Sequence, residues 1–404
     1  MIYFVYPRLR KLSGAERLIL RLASYTAQLG APVTLVTHYF DASCAPALAP
    51  QVQLVQTGDR LNYFKNHYFN APFEYLHALR LLQYIERDAD AVTFFGPPSL
   101  PALAWFSLRH KTRAPGSSGD HKGAPLLYFC YEPPRFIYDD AVQVTTRMGA
   151  SGIVARPFFG LYKMLDRAMA QRADALLANS HFGAARLRAA YGRDATVITH
   201  GADFAPASCD ETRALRAQYA LGDQFVLLTV NFLHPRKRIA LFLRALAELK
   251  TRVPNAAALV VGAGPENDAL HALARELNLA DAVYFTGFVP DQALPAHYAA
   301  SDVYVHTCKN ESFGLSVLEA SAAGLPVIAV NEGGPREIIR DGETGLLTDA
   351  TPDAIANAVH ELAHDAARCK QMGEAGRQRV AALYSWERGA QDFLRVIQNQ
   401  EPRY

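Results

Sequence analysis

The segment 303–330, VYVHTCKNESFGLSVLEASAAGLPVIAV, decides the fold of this chain. It runs from an apolar strand through a polar loop into a small-residue helix, Leu315 to Ala323, and then into a second strand, Val327–Val330. That order is typical of a parallel sheet covered by helices. Gly314 stands at the helix start and Ser312 is the predicted N-cap. Because the first N–H groups and the dipole of a helix attract anions, the segment predicts a phosphate-binding turn at a strand end.

Two glutamates flank this turn. Glu311 and Glu319 are separated by seven residues, the first just before the expected anion site and the second inside the helix. An isolated pair of this kind is most often two solvated charges, the first favoured by the helix dipole. On either side of a phosphate cradle, however, one carboxylate suits a sugar and the other a ribose.

Two turns further along the chain decide between these interpretations. They are Gly333-Gly334-Pro335-Arg336-Glu337-Ile338 and Asp341-Gly342-Glu343-Thr344-Gly345-Leu346. Together with the spaced glutamates they resemble, in order and spacing, glycosyltransferase family 4, the retaining nucleotide-sugar-dependent enzymes of GT-B fold. The resemblance implies an α/β protein with two Rossmann-like doubly wound domains facing across a cleft. Ligands would then bind at the carboxyl ends of both sheets.

Composition supports a two-domain globular protein. The 404 residues are long for one core, and half of them are hydrophobic. A net charge of +2 argues against a nucleic-acid binder, which would carry a stronger basic excess. The five cysteines are scattered, without a Cys-x-x-Cys, so they favour a reducing, cytoplasmic setting over a disulfide framework or a zinc finger.

The expected domains are 1–205 and 206–384, with a last helix in 385–404 that crosses back to the first. A linker is predicted at Asp203–Asp210, which is rich in Ala, Pro and Ser. Strands are predicted at 1–6, 32–37, 91–95, 126–130, 175–178, 196–198, 225–230, 257–261, 283–286, 303–306 and 327–330.

Neither a leader nor a membrane span is expected. Met1–Tyr6 is too short for a signal h-region and is predicted to be the first buried strand. The uncharged stretch Ala91–Leu108 contains Gly96, Pro97, Pro98 and Pro101, which divide it into a strand and a helix.

The resemblance assigns roles to individual residues. It implies that Glu311 hydrogen-bonds the donor sugar, that Lys237 neutralises phosphate and that Glu319 accepts the ribose hydroxyls. These make Glu311 and Lys237 the catalytic candidates. The implied donor-binding positions are Gly14, Arg236, Gly262, Val289, Phe313, Gly314, Leu315, Ser316 and Glu319.

The chain departs from the family pattern at several places. Phe232 occupies the position of a phosphate-binding Arg, which Arg236 or Arg238 would replace. Ser13 stands for the first glycine of the N-terminal turn. Tyr131 stands for the usual His of the acceptor side, which makes Tyr131, Glu132 and Arg135 the acceptor-side candidates.

No metal ligands and no cofactor are expected, because the sequence has no Asp-x-Asp at a strand end. The favoured function is retaining transfer of a sugar from a GDP- or UDP-linked donor to a hydroxyl, in surface polysaccharide or lipid-linked glycan synthesis. Two alternatives stay open. One is a nucleotide-sugar hydrolase or epimerase of the same fold, and the other is a non-catalytic binding subunit.

Two basic and apolar segments raise the question of a membrane. Arg8, Arg10, Lys11, Arg17 and Arg21 cluster at the first loop and helix. A helix at about 157–171 sets aromatic and aliphatic residues beside Arg156, Lys163, Arg167 and Arg172. Either this helix lies at the inner face of an anionic bilayer, or it packs on the core with an ordinary solvated side.

Overall fold

The structure, a computed structural model, describes residues 1–10, 12–58, 74–109, 123–139 and 150–398. It divides into two compact units. The first comprises Met1–His200 with Trp386–Tyr404, and the second comprises Gly201–Ser385.

The first unit is built on a seven-stranded sheet in which every recorded pairing is parallel. In chain order its strands are β1 Ile2–Val5, β3 Val33–Thr37, β5 Gln53–Gln56, β6 Ala91–Phe95, β7 Leu126–Phe129, β8 Ala175–Ala178 and β9 Thr196–Val197. Their spatial order is β5-β3-β1-β6-β7-β8-β9, and a separate ribbon pairs β2 Arg8–Leu9 with β4 Tyr39–Phe40. The chain therefore reverses its direction of travel across the sheet between β1 and β6, as in doubly wound folds.

Helices cover the sheet of the first unit. They are α1 Gly14–Gln28, α2 Leu100–Arg109, α3 Arg135–Tyr138, α4 Ala150–Ala170, α5 His181–Tyr191 and, from the end of the chain, α14 Trp386–Ile397. The last of these packs beside α1, with Phe393 edge-on to Phe4 at 5.3 Å between ring centroids. Trp386, Ala390 and Phe393 are buried there, so α14 completes the core of the first unit.

The second unit has a six-stranded parallel sheet. Its strands are β10 Phe225–Val230, β11 Ala256–Val261, β12 Val283–Gly287, β13 Val303–His306, β14 Val327–Val330 and β15 Gly345–Thr348. The spatial order is β12-β11-β10-β13-β14-β15, so the reversal falls between β10 and β13. Alternate residues of one strand enter different cores: Leu227 packs in one and Leu228 in the other.

The helices of this unit are α6 Cys209–Gln218, α7 Ile239–Lys250, α8 Asn267–Glu276, α9 Leu294–Ala299, α10 Leu315–Ala322, α11 Pro335–Ile338, α12 Pro352–Ala363 and α13 Ala366–Leu383. Short 3₁₀ turns lie at Ala42–Ala47, Ala78–Tyr84 and Pro97–Ser99 in the first unit, and at Pro235–Lys237 and Asp291–Ala293 in the second.

The predicted fold class is confirmed, since both units are doubly wound α/β domains. All eleven predicted strands are present. The sequence missed the edge strands Gln53–Gln56 and Gly345–Thr348 because neither is a continuous apolar run. The linker predicted at Asp203–Asp210 ends two residues earlier, because a capping box between Ser208 and Glu211 starts α6 at Cys209. The helix predicted at 157–171 begins earlier, at Ala150.

Candidate active site

The candidate residues of the second unit gather at the carboxyl ends of β10 and β13. These two strands are neighbours at the point where the strand order reverses, which is where open α/β sheets bind ligands. The segment after β10 contributes the basic turn 235–238, and the segment after β13 contributes the loop 307–314.

Hydrogen bonds tie the two segments together. Thr307 donates its hydroxyl to the carbonyl of Lys237 at 2.8 Å. The N–H of Lys309 donates to the carbonyl of Arg236 at 2.9 Å. These bonds cross about seventy residues of sequence and fix the basic turn against the acidic loop.

Lys237 and Glu311 form an ion pair, with the ammonium donating to Oε2 of the carboxylate. The nearest guanidinium nitrogen of Arg236 lies 3.6 Å from the same oxygen. Burial alone would raise the pKa of Glu311, but the charges of Lys237 and Arg236 outweigh it and hold that pKa well below its usual range. Glu311 is therefore a mostly buried carboxylate that stays ionised.

The glycine pair downstream explains how Glu311 is held. The N–H of Gly334 donates to the carbonyl of Glu311 at 2.8 Å. A Cβ at Gly333 would lie 2.4 Å from that carbonyl oxygen, and a Cβ at Gly334 would lie 2.3 Å from the carbonyl oxygen of Ser312. Only glycines allow the two backbones to approach this closely.

Helix α10 begins at Leu315, as predicted from the sequence, but its cap differs from the prediction. Its N-cap is Gly314, not Ser312 as predicted, and Gly314 has φ +101°. In this left-handed region a non-glycine residue is strained, and a Cβ would lie 3.0 Å from Cγ of Pro335. The side chain of Phe313 is buried edge-on against Tyr384. The groups of this turn that can bind a ligand are therefore backbone N–H groups. The first N–H groups of α10 have no acceptors within the helix, as at any helix start.

Two tyrosines hold the polar side chains of α10. Tyr304 donates to Oγ of Ser316 at 2.7 Å, and Tyr298 donates to Oε2 of Glu319 at 2.9 Å. Glu319 is only 7% exposed, so this carboxylate is not a solvated surface charge. Leu315, between these positions, packs against the core of the unit.

The structure separates the two candidates for the missing arginine. Arg238 forms an ion pair with Glu332, in which both terminal guanidinium nitrogens donate to the carboxylate at 3.0 to 3.2 Å. Arg236 instead lies beside Glu311, and its nitrogen is 3.7 Å from the sulfur of Cys308. Phe232 is 62% exposed and occupies neither place. Arg236 is thus the arginine that lies, like Lys237, against the carboxylate of Glu311.

Gly262 and Val289 follow the ends of β11 and β12 at the same edge of the sheet. Gly262 has φ +129°, and a Cβ there would lie 1.8 Å from the carbonyl oxygen of Asn231. The glycine is therefore demanded by the approach of two backbones. Val289 is half-buried against the core.

In the first unit, the N-terminal turn precedes α1. Ser13 is the N-cap, Gly14 is exposed, and no described atom lies within 4 Å of a Cβ built on Gly14. The Ser13 hydroxyl donates to Glu16. Burial raises the pKa of Glu16, and the hydrogen bond from Ser13 opposes that rise.

Tyr131 follows β7 and lies over Gly96, which follows β6. Gly96 has φ +64°, and a Cβ there would be 2.7 Å from the Tyr131 hydroxyl oxygen. Burial raises the pKa of this phenol well above its ordinary value, so Tyr131 is a neutral hydrogen-bonding group.

Glu132 and Arg135 form an ion pair, and Arg135 also lies 3.7 Å from Asp139. The predicted acceptor-side residues therefore form one cluster at the carboxyl edge of the first sheet. The segment that follows, 140–149, lies outside the described residues.

Two residues of the site were not predicted from the sequence. His306 ends β13, and Cys308 follows it; with Glu311 they place a ring nitrogen, a sulfur and a carboxylate oxygen all within 4.8 Å of one another. No metal-ligand cluster is expected from the sequence, yet this group has the donor atoms of one. The signal that could have found it is the spacing His-x-Cys-x-x-Glu after a buried strand. We call Arg236, Lys237, His306, Cys308 and Glu311 the switch-point cluster.

The basic cluster predicted at the N-terminus is largely engaged within the protein. Arg8 is buried and lies 3.1 Å from Glu74, which also pairs with Arg10. Arg17 and Arg21 are half-buried in α1. Lys11 lies outside the described residues.

Helix α4 buries one side and exposes the other. Tyr162 donates to the hydroxyl of Tyr75 at 2.7 Å, and Asp166, 1% exposed, accepts from Tyr138 at 3.0 Å. The exposed side carries apolar residues, whose exposed fractions are 68% for Phe158, 50% for Leu161, 60% for Met164 and 49% for Leu165. Among the helices that the structure describes, none combines the length and apolar character needed to cross a bilayer.

The two doubly wound units and the cluster at the switch point of the second define a protein of the GT-B class. The chain superimposes on Anabaena HepE in complex with UDP and glucose with a TM-score of 0.73, at 20% identity, over 98% of this chain and 99% of that one. Two family models match, "Glycosyltransferase Family 4" over residues 12–205 and "Glycosyl transferases group 1" over residues 211–379. The protein belongs to glycosyltransferase family 4.

Curated relatives are similar over part of their length. The chain is 38% identical over 238 residues to the GDP-mannose-dependent alpha-(1-6)-phosphatidylinositol monomannoside mannosyltransferase of Mycolicibacterium smegmatis, covering 55% of this chain and 62% of the relative. It is 37% identical over 244 residues to the D-inositol 3-phosphate glycosyltransferase of Salinispora tropica, covering 55% and 50%. The chain thus matches between half and two thirds of the length of these relatives.

Proposed function

We propose that this protein is a retaining glycosyltransferase that moves a hexosyl group from a nucleoside diphosphate sugar to a hydroxyl acceptor. The observation that supports this most directly is the Lys237–Glu311 pair beside the start of α10, with Arg236 3.6 Å from the same carboxylate. A diphosphate bound beside this pair would contact the cations Arg236 and Lys237 and the N-terminal end of α10. The sugar attached to it meets a carboxylate that stays ionised.

In the proposed reaction, Lys237 turns from Glu311 to the donor phosphates, and Glu311 accepts hydrogen bonds from the sugar hydroxyls. The two cations and the first N–H groups of α10 stabilise the charge that develops on the leaving diphosphate. The departing phosphate oxygen takes the proton of the attacking hydroxyl on the same face of the sugar. The reaction then needs neither a separate base nor a metal cofactor, and we expect transfer to persist in EDTA.

The ribose of the donor would lie against Glu319 and its partner Tyr298. The donor that we propose first is GDP-mannose. Relatives of 38% and 41% identity carry GDP-mannose dependence in their names, whereas the neighbour that binds UDP is similar in fold at only 20% identity. The discriminating experiment is release of nucleoside diphosphate from GDP-mannose and from UDP-glucose, each with and without acceptor extract.

This experiment also separates the alternatives. Acceptor-dependent release with retained anomeric configuration in the product supports retaining transfer. Release that acceptor does not increase indicates a hydrolase, and no release by a protein that binds the nucleotide indicates a binding subunit.

We further propose that the acceptor is a lipid-linked glycan met at an anionic membrane surface. The exposed apolar side of α4, with Lys163 and Arg167 exposed on the same helix, supports this. The neighbouring α2 adds exposed Trp105 and Leu108, and the guanidinium of Arg109 lies 4.9 Å from the centroid of the Trp105 ring. Aromatic rings flanked by basic groups suit the headgroup region of a bilayer.

A further inference from the structure

His306 in the switch-point cluster has an unusual environment. Its side chain is 1% exposed, and neither ring nitrogen has a hydrogen-bond partner among the described residues. A buried polar atom without a partner is destabilising, and a water, an ion or a ligand that satisfies it is one explanation for its presence. A neutral imidazole carries a lone pair on one of its two ring nitrogens, so it can serve as a ligand.

This ring nitrogen of His306 is one of three neighbouring atoms that can act as metal ligands. A ring nitrogen of His306, the sulfur of Cys308 and a carboxylate oxygen of Glu311 all lie within 4.8 Å of one another, and the sulfur is 3.0 Å from Oε2 of Glu311. In tetrahedral zinc sites, bonds of about 2.0–2.3 Å place neighbouring ligand atoms about 3.5 Å apart. A shift of roughly 1 Å would bring the three atoms to that spacing. Imidazole, thiolate and carboxylate are also the ligands that zinc prefers.

We propose that His306, Cys308 and Glu311 bind a thiophilic divalent cation, Zn²⁺ above all, and that the bound ion blocks the donor site. The three residues fill three positions of a tetrahedron, and water fills the fourth. Binding releases the thiol proton of Cys308 and changes no oxidation state. The bound ion also replaces Lys237 as the partner of the Glu311 carboxylate. The blocking effect therefore rests on the proposed function of Glu311 in donor binding.

The two cations of the cluster set the strength of this site. Lys237 and Arg236 lie against the carboxylate that the metal would use, and their charges oppose a second positive ion. We therefore expect weaker binding than at a structural zinc site, and competition between zinc and a donor that engages Glu311.

The binding test uses the full chain with Co²⁺ as a spectroscopic probe and Zn²⁺ as the competitor. We expect a thiolate-to-cobalt charge-transfer band that Zn²⁺ abolishes. The band should vanish in Cys308→Ala and weaken in His306→Gln, with circular dichroism confirming that each variant is folded. The matched control is Cys209→Ser, which removes an exposed thiol and should keep the band. No band in the wild type, or a band lost in Cys209→Ser and kept in Cys308→Ala, would overturn the site.

The inhibition test compares each protein with its own metal-free rate. Zinc should lower wild-type transfer at least tenfold more than transfer by Cys308→Ala, and excess donor should relieve the effect. Equal inhibition of the two proteins would overturn the blocking role. Because the cobalt band is measured without donor, the metal site is tested independently of whether the protein proves to be a transferase.

Discussion

The phenol of Tyr298 donates a hydrogen bond of 2.9 Å to Oε2 of Glu319, joining α9 to α10 inside the second unit. Tyr298 is 1% exposed and Glu319 is 7% exposed. This bond fixes the orientation of a carboxylate whose sequence position suggested a ribose contact. Glu319 is therefore a preorganised acceptor, not a mobile surface side chain.

We predict that Glu319→Ala raises the donor KM tenfold or more, which corresponds to about 1.4 kcal/mol of binding. Tyr298→Phe should raise the KM by a smaller factor, because it loosens the carboxylate but leaves it in place. Steady-state kinetics with varied donor measures both. An unchanged KM in Glu319→Ala would move the ribose site elsewhere.

Glu311→Gln should lower kcat at least a hundredfold while leaving the fold intact. The amide keeps the shape but cannot pair with Lys237 or accept as strongly from the sugar hydroxyls. The matched control is Glu343→Gln, which removes an exposed carboxylate paired with Arg340. Turnover near the wild-type rate in a well-folded Glu311→Gln protein would refute the role of Glu311.

Arg236 and Arg238 should differ in function. Arg236→Met is expected to raise the donor KM about fivefold to thirtyfold, a loss of about 1–2 kcal/mol, because a cation near the diphosphate is removed. Arg238→Met should change the KM less and the melting temperature more, because Arg238 is forked onto Glu332. The reverse order in nucleotide binding would identify Arg238 as the phosphate ligand.

The stability of the first unit should fall on acidification because of His200. Burial lowers the pKa of His200 from 6.5 to about 3, so between these values the unfolded chain binds a proton that the folded chain does not. Stability contributed by the neutral ring is complete above pH 6.5 and is lost as the pH falls toward 3, by up to about 1.4 kcal/mol per pH unit.

The check is the melting temperature between pH 7 and pH 5. The decline should be shallower in His200→Gln than in the wild type. His181→Gln, which replaces an exposed histidine of the same unit, should keep the wild-type slope. Equal slopes in all three proteins would show that His200 does not titrate as its burial requires.

The exposed side of α4 should determine membrane binding. We expect the wild type to float with anionic liposomes at low salt, and the double variant Phe158→Ser, Leu161→Ser to remain in the bottom fraction. Leu383→Ser, at an exposed apolar position of the second unit, is the control. Absence of wild-type flotation would leave a water-soluble acceptor as the better proposal.

Much of this protein follows from local sequence. Strands such as Val327–Val330 are short β-rich runs between turn residues, and their alternation with helices is sufficient for the doubly wound class. The glycines at 333 and 334 belong to a motif that the sequence alone displays, and glycine is the residue that allows two backbones to approach closely. Glu311 and Lys237 likewise follow from motif and spacing.

The tertiary structure decided which of these residues meet. Lys237 and Glu311 are 74 positions apart, and Arg238 and Glu332 are 94 apart. The sequence left Arg236 and Arg238 equivalent, because only the packing of the turn after β10 shows which guanidinium faces which carboxylate. The same holds for the cap of α10, where Gly314, with its left-handed φ, is the N-cap in place of the predicted Ser312. Local pattern specifies each element, but the partners of a charge depend on how the ends of β10 and β13 are juxtaposed, which no single segment encodes.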